Sequence, residues 1–252
     1  MQNIELLQYL NGLLVPHKFR DYCPNGLQVE GKSDIQKIVT GVTASQALID
    51  AAIDANADAI LVHHGYFWKG ESANIVAMKR NRIKALLLND INLFAYHLPL
   101  DAHPEFGNNA QLAKLLGFTG NESLELGNEL SVVRYGLVSA ATSDISSLAQ
   151  LVEKQLNRTP LVVAAGPDNI RTVAWCTGGG QSYIELAAER GIDVFITGEA
   201  SEQTIHTARE MKMHFIAAGH HATERYGAKA LGEHLMTEHF LDVQFIDIDN
   251  PV

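Results

Sequence analysis

Apolar positions along the chain follow two periods. Ile4, Leu7, Leu10 and Leu14 recur at helical spacing, which predicts a helix over 3–15 that stops near Pro16. Residues 38–42 read as a strand, and Ser45 reads as the N-cap of a helix reaching Asn56. Ala59-Ile60-Leu61-Val62 is an unbroken apolar run, the mark of a strand buried on both faces. It ends in His63-His64-Gly65. A helix over about 72–89 follows, then a strand from Ile91 to Tyr96 that runs into His97-Leu-Pro-Leu-Asp101. Pro99 argues against helix in that segment. Residues 108–116 form a short helix closed by Gly117. The second half predicts strands at 132–139 and 161–165 around a helix at about 143–156. Such alternation means an α/β fold with parallel or mixed sheets. The polar stretch Thr119–Leu130 is the expected linker, giving lobes at 1–127 and 128–252.

The two lobes are expected to be related, because the chain matches itself at an offset of 135. Ile38 then falls on Val173, Gln46 on Gln181, Ala52 on Ala187 and Asp58 on Asp193. At the strand ends His63-His64 falls on Gly198-Glu199. Further on the offset drops to 123, placing His97…Asp101 over His220…Glu224. Each half therefore ends a strand in a His-x-x-x-carboxylate.

Composition narrows the function classes. A formal net charge of −10 over 252 residues excludes a general nucleic-acid or anionic-membrane binder. The N-terminal segment is no signal peptide, and no apolar run approaches the roughly 18–20 residues of a membrane span. Cys23 and Cys176 stand alone, which fits a reducing, cytoplasmic setting and offers no cysteine zinc site.

The chemistry gathers at the strand ends. Adjacent strand residues point to opposite faces, so His63 and His64 can share a site only where the strand ends and Gly65 lets the chain turn. His220 and Glu224, at the start of a helix, stand one turn apart on one face. With Asp101 these make three imidazoles and two carboxylates, a set suited to Fe, Zn, Mn, Ni or Co. That exceeds the three protein ligands of one catalytic zinc, and two ions sharing a bridging carboxylate account for the surplus. Cys176-Thr-Gly-Gly-Gly180 reads equally as an anion cradle or a tight turn.

Taken together, Asn25-Gly-Leu-Gln-Val-Glu-Gly31, His63-His-Gly-Tyr-Phe-Trp68, His97-Leu-Pro-Leu-Asp101, Thr177-Gly-Gly-Gly180 and Gly219-His-His-Ala-Thr-Glu224 span essentially the whole chain. In that order they resemble the GTP cyclohydrolase 1 type 2 homologue family, also called NIF-three-like, in its short bacterial YbgI-type branch. The resemblance implies a dinuclear metal centre between two related α/β lobes and a ring-shaped homohexamer. It carries the ligand roles onto His63, His64, Asp101, His220 and Glu224, with Glu224 bridging and His97 a further ligand or supporting partner. The activity it implies is metal-dependent hydrolysis of a small molecule, of the GTP cyclohydrolase type or on another small electrophile. Lys69, Arg80 and Arg82 would then meet phosphates, and Tyr66, Phe67 or Trp68 would stack on a base. The rival reading from another class is a non-catalytic metal-binding or scaffold protein.

Overall fold

The structure, a computed structural model, describes all 252 residues. Compactness divides them into two units, Met1–Leu100 with Gly227–Asp249, and Asp101–Tyr226 with Asn250–Val252. The chain therefore changes unit at 100–101, 226–227 and 249–250. Within the expected linker, Thr119–Ser123 forms strand β5 and pairs with β6 (Arg134–Leu137).

In the first unit, α1 (Asn3–Leu14) buries Leu6, Leu10 and Leu14 and ends where Val15 turns left-handed ahead of Pro16. Its sheet has the order β1-β4-β3-β2-β11, from Gly26–Val29, Asn92–Ala95, Ala59–His64, Lys37–Thr43 and Asp242–Phe245. β4, β3, β2 and β11 run parallel, and β1 closes one edge antiparallel to β4. The Asn25–Gly31 motif thus contains strand β1. Alternation along these strands decides which helices cover which face. Val39, Ile60, Val62, Leu93 and Ala95 meet Leu48, Ile49 and Ala52 of α2 (Gln46–Asp54) and Ile83 and Leu86 of α3 (Ala77–Leu88). On the other face Gly232 of α9 (His220–His239) lies so close to Thr40 and Val243 that a Cβ there would crowd both. The Ser45 hydroxyl caps α2 by accepting the Leu48 N–H, as expected.

The second unit has the sheet order β5-β6-β8-β9-β10-β7. Its parallel centre is β8 (Thr172–Cys176), β9 (Val194–Thr197) and β10 (His214–Ala217), and β7 (Leu161–Val163) runs antiparallel to β10. Val173, Trp175, Val194, Ile196 and Ile216 face α5 (Asn108–Leu116) and α6 (Ile145–Leu156). Ala174, Cys176, Phe195, Phe215 and Ala217 face α7 (Ile184–Glu189) and α8 (Glu202–Glu210). Burying one such aromatic is worth about 1.5–3 kcal/mol, so this clean two-sided partition fixes the register. Gly117 ends α5 in the left-handed conformation, as expected.

The internal repeat shows in the strand pairing. Leu27 pairs with Phe94 in one sheet and Val162 with Ile216 in the other, at offsets of 135 and 122, one residue short of the offset of 123 at the His-x-x-x-carboxylate that follows. No helix is long and apolar enough to cross a membrane.

Candidate metal centre

In the first unit three imidazoles collect at the carboxyl ends of β3, whose last two residues are His63 and His64, and of β4. His63 is fully buried, and its Nδ1–H donates to the Tyr96 carbonyl at 3.1 Å. A carbonyl only accepts, so the proton sits on Nδ1 and the lone pair on Nε2. His64 Nδ1 lies 3.3 Å from the Thr43 hydroxyl. His97 donates from Nδ1 to the Asp21 carboxylate at 2.6 Å. One ligand atom from each of His63, His64 and His97 falls within 4.8 Å of the others. Trp68 packs edge-on to His97, with ring centroids 4.9 Å apart, and is tied to the Gly65 carbonyl through its indole N–H.

The loop before β1 builds the support for this cluster. Asp21 accepts from the Tyr22 and Leu98 amides and from the Asn25 side chain, besides His97. Burial alone would raise its carboxyl, but hydrogen bonds from His97 and Asn25 and the attraction of His97 outweigh it and hold it low. Asn25 also accepts the His97 amide at 2.7 Å, and Gln28 clamps the Tyr66 backbone from both sides. The Cys23 thiol is pushed up to about 12 by burial and by Asp21, so it stays protonated. Tyr66 is no base-stacking platform: it is buried, and its hydroxyl donates to the Ala44 carbonyl. Phe67 lies under the Lys79 ammonium, 5.0 Å from ring centre.

The second unit holds the carboxylates. Asp101 lies in α4 (Leu98–Ala102), which is helical after all because Pro99 falls in the first turn, where its missing N–H costs nothing. Its carboxylate is buried and accepts from Asn108 at 2.9 Å and from the Thr177 hydroxyl at 3.3 Å. Asn109 clamps the same turn, donating to the Asp101 carbonyl and accepting the Thr177 amide. His220 opens α9 and lies between two acids, Nδ1 on Glu199 at 2.7 Å and Nε2 on Glu224 at 3.1 Å. Burial would lower its imidazole, yet the hydrogen bonds and attraction of Glu224 and Glu199 push it up to about 9. Both acids thus favour the charged imidazole, and a cation bound at Nε2 would take that proton's place.

The glycine run Cys176–Gly180 is a turn, not an anion cradle, since the Gly178 and Gly180 amides donate to the Thr223 and Thr197 hydroxyls. A Cβ at Gly178 would overlap the Glu224 carboxylate, so the glycine makes room for that acid. Of the expected residues, His63, His64 and His97 stand together in the first unit, and His220 and Glu224 touch in the second. Asp21 and Glu199, the carboxylates that hold His97 and His220, were not among them. The repeat carried one signal, since Glu199 takes the place of His64 in the second copy.

Residues 1–251 match the family model of Duf34/NIF3, NGG1p interacting factor 3. The chain belongs to that family. It is similar over its full length to a Haemophilus influenzae protein named GTP cyclohydrolase 1 type 2 homolog, 61% identical, with all of both chains covered. A relative of the same name from Escherichia coli is 58% identical over 252 residues, again with full cover of both. Among solved structures it is similar to protein ybgI, with TM-score 0.96, 58% identity and 100% of both chains covered. The family match and the mixed α/β sheets agree with the resemblance read from the sequence motifs. His/Asp/Glu groups able to hold a metal accompany them.

Proposed function

We propose that the chain is a dinuclear metal-dependent hydrolase, with His63, His64, Asp101, His220 and Glu224 as ligands and Glu224 bridging. One observation carries this reading: donors in both units are held by supporting hydrogen bonds of the kind that orient metal ligands. The Tyr96 carbonyl sets the His63 tautomer, Asn108 and Thr177 fix Asp101, and Glu199 fixes His220. Neutral imidazoles and carboxylates suit Fe, Zn, Mn, Ni or Co. When bound, two such ions supply Lewis acidity and an activated water for attack on an electrophilic carbon or phosphorus. The substrate is a small electrophile, and GTP is the first to try because the curated relatives carry cyclohydrolase in their name. Fold and donor set do not by themselves select it.

The protein works in this reading as a cytoplasmic ring of six. Two free, buried cysteines support the reducing compartment. Exposed Ile75, Val76, Met78, Leu87 and Leu88 along one stretch of the first unit support assembly. Light scattering should give about six times the chain mass of 27.6 kDa.

Elemental analysis of protein purified without chelator should approach two divalent ions per chain. Glu224→Ala should lose both, whereas Asp101→Ala should mainly weaken one. A stoichiometry fixed at one, unchanged in Glu224→Ala, overturns the dinuclear reading. Metal-loaded protein that turns over neither nucleotides nor small amides would favour a metal-handling protein over an enzyme.

A further inference from the structure

We infer that the segment Phe67–Val76 is a lid over the imidazole cluster, and that Lys79 is the latch that holds it shut. The inference rests on the metal-centre reading above for what the lid covers, and goes beyond it in saying how that site is reached. The near end of the segment is fixed at Tyr66, whose backbone Gln28 clamps and whose hydroxyl donates to the Ala44 carbonyl. The far end is fixed by α3, through buried Ile83 and Leu86. Between them the chain forms neither helix nor strand up to Val76, and residues 69–78 are exposed throughout.

Both ends of the segment are strained. Phe67 and Ala77 are held at φ +65° and +48°, in the left-handed region that side chains other than glycine rarely adopt. Such a conformation persists only where the surroundings impose it. Lys79 gathers those surroundings. Its ammonium donates to the Ser72 carbonyl at 3.0 Å, stands 3.4 Å from one Glu71 oxygen, and lies 5.0 Å over the Phe67 ring. The other Glu71 oxygen accepts the Trp68 N–H at 3.0 Å. The Lys79 side chain is only 10% exposed, so this charge pair is screened less than an ordinary surface one.

The latch leads to the site. Trp68, joined to Lys79 through Glu71, stands with its ring 4.9 Å from His97 and 5.8 Å from His64. The next residue, Lys69, donates its N–H to the Tyr22 carbonyl and so closes the segment onto the loop that carries Asp21. With Lys79 engaged, the indole stands against two of the three imidazoles. Release of Lys79 frees Glu71 and with it the Trp68 backbone, and lets both left-handed residues relax. A hydrogen bond to a charged group shifts such an open–closed balance about tenfold or more. Lids of this kind admit small molecules and exclude water once shut.

The test reads Trp68 directly. The chain has two tryptophans, Trp68 and Trp175, and Trp175 is fully buried, so acrylamide quenching of the full-length protein reports on Trp68. Trp68→Phe supplies the background to subtract. Lys79→Met, which removes the charge and keeps most of the stem, should raise the quenching constant about twofold or more, and Glu71→Gln should do the same. Lys84→Met, at an exposed position of the same helix, should quench as the wild type does. Release of bound Co2+ into a chelator should quicken about tenfold in Lys79→Met while equilibrium affinity stays as in the wild type, because a gate speeds entry and exit alike, whereas a lost ligand weakens binding. Wild-type quenching in both Lys79→Met and Glu71→Gln overturns the latch. Raised quenching with an unchanged release rate overturns the gating. Wild-type protein that takes up no Co2+ overturns the metal-centre reading instead, and the quenching comparison still decides whether Lys79 holds the segment shut.

Discussion

The two units share a strand-helix-strand frame, and setting their equivalent residues side by side separates what holds the backbone from what does the chemistry. Asp58 accepts the Gln36 and Lys37 amides, and Asp193 accepts the Arg171 and Thr172 amides, the same bond pair at an offset of 135. Those carboxylates stitch the start of one parallel strand to the next, and both copies keep them. At the other end of the same strands the copies part. The first unit places Thr43 and His64 where the second has Gly178 and Glu199. The first thereby becomes rich in imidazole and the second in carboxylate. One frame thus carries two different sets of side chains at the carboxyl ends of its strands, where open α/β sheets place their ligands.

The largest effect is expected at Gly178, whose φ is +62°. Gly178→Ala adds left-handed strain of about 1–2 kcal/mol and overpacking against Glu224 of about 1–3 kcal/mol. Together these should cost about 3 kcal/mol in denaturant unfolding and loosen cation binding with it. Thr43→Ala at the equivalent place should cost only about 1 kcal/mol, the value of its contact with His64. Equal losses at both positions would mean that the strand ends did not diverge in role.

The frame was legible in the sequence because it is written in local terms. Apolar runs, the Ser45 cap and the Gly117 stop each depend on a few neighbouring residues. The repeat was legible for the same reason. What escaped was non-local. Asp21 meets His97 across 76 positions and Glu199 meets His220 across 21, and no spacing rule connects either pair. Thr119–Ser123 is polar, as a linker would be, yet it is an edge strand whose partner β6 supplies the pairing. β11 likewise joins the first sheet from the far end of the chain, beside β2.

The conserved stitches should come next in size. Asp58→Ala and Asp193→Ala each leave two backbone N–H groups without their carboxylate and should each cost about 2 kcal/mol. They differ in what else holds the acid. Asp58 has the Lys32 ammonium at 2.5 Å, whereas Asp193 has the Thr172 hydroxyl at 3.0 Å. Burial would raise the Asp58 carboxyl, but Lys32 and the Lys37 and Gln36 amides hold it below its ordinary value. Its folded value is depressed, so its contribution is complete above the unfolded carboxyl's value of about 3.9. It is lost as pH falls through the lower folded value. The gap between wild type and Asp58→Ala in urea unfolding should therefore begin to narrow as pH falls below about 4 and go on narrowing as the lower folded value is passed. A gap that persists unchanged to the lowest pH would show that the Asp58 charge contributes nothing.

The smallest and sharpest contrast lies at the helix starts. Ser45 caps α2, and its equivalent at offset 135 is Gly180, which precedes a 3-10 turn over Gln181–Tyr183 before α7 begins. Ser45→Ala should cost about 1 kcal/mol, the usual value of such a cap. On propensity alone Gly180→Ser should return the missing cap and stabilise the second unit by a similar amount. The packing says otherwise, because a Cβ at Gly180 would overlap the Cβ and Sγ of buried Cys176. The Gly180 amide is also bound to the Thr197 hydroxyl, which fixes the backbone close to β9. Gly180→Ser should therefore destabilise, and combining it with Cys176→Ala should recover only the part of the loss that the sulfur causes, because the Cβ of residue 176 still overlaps the new side chain. A stabilising Gly180→Ser would show that the second copy lost its cap by drift, not because the turn beside Glu199 required a glycine.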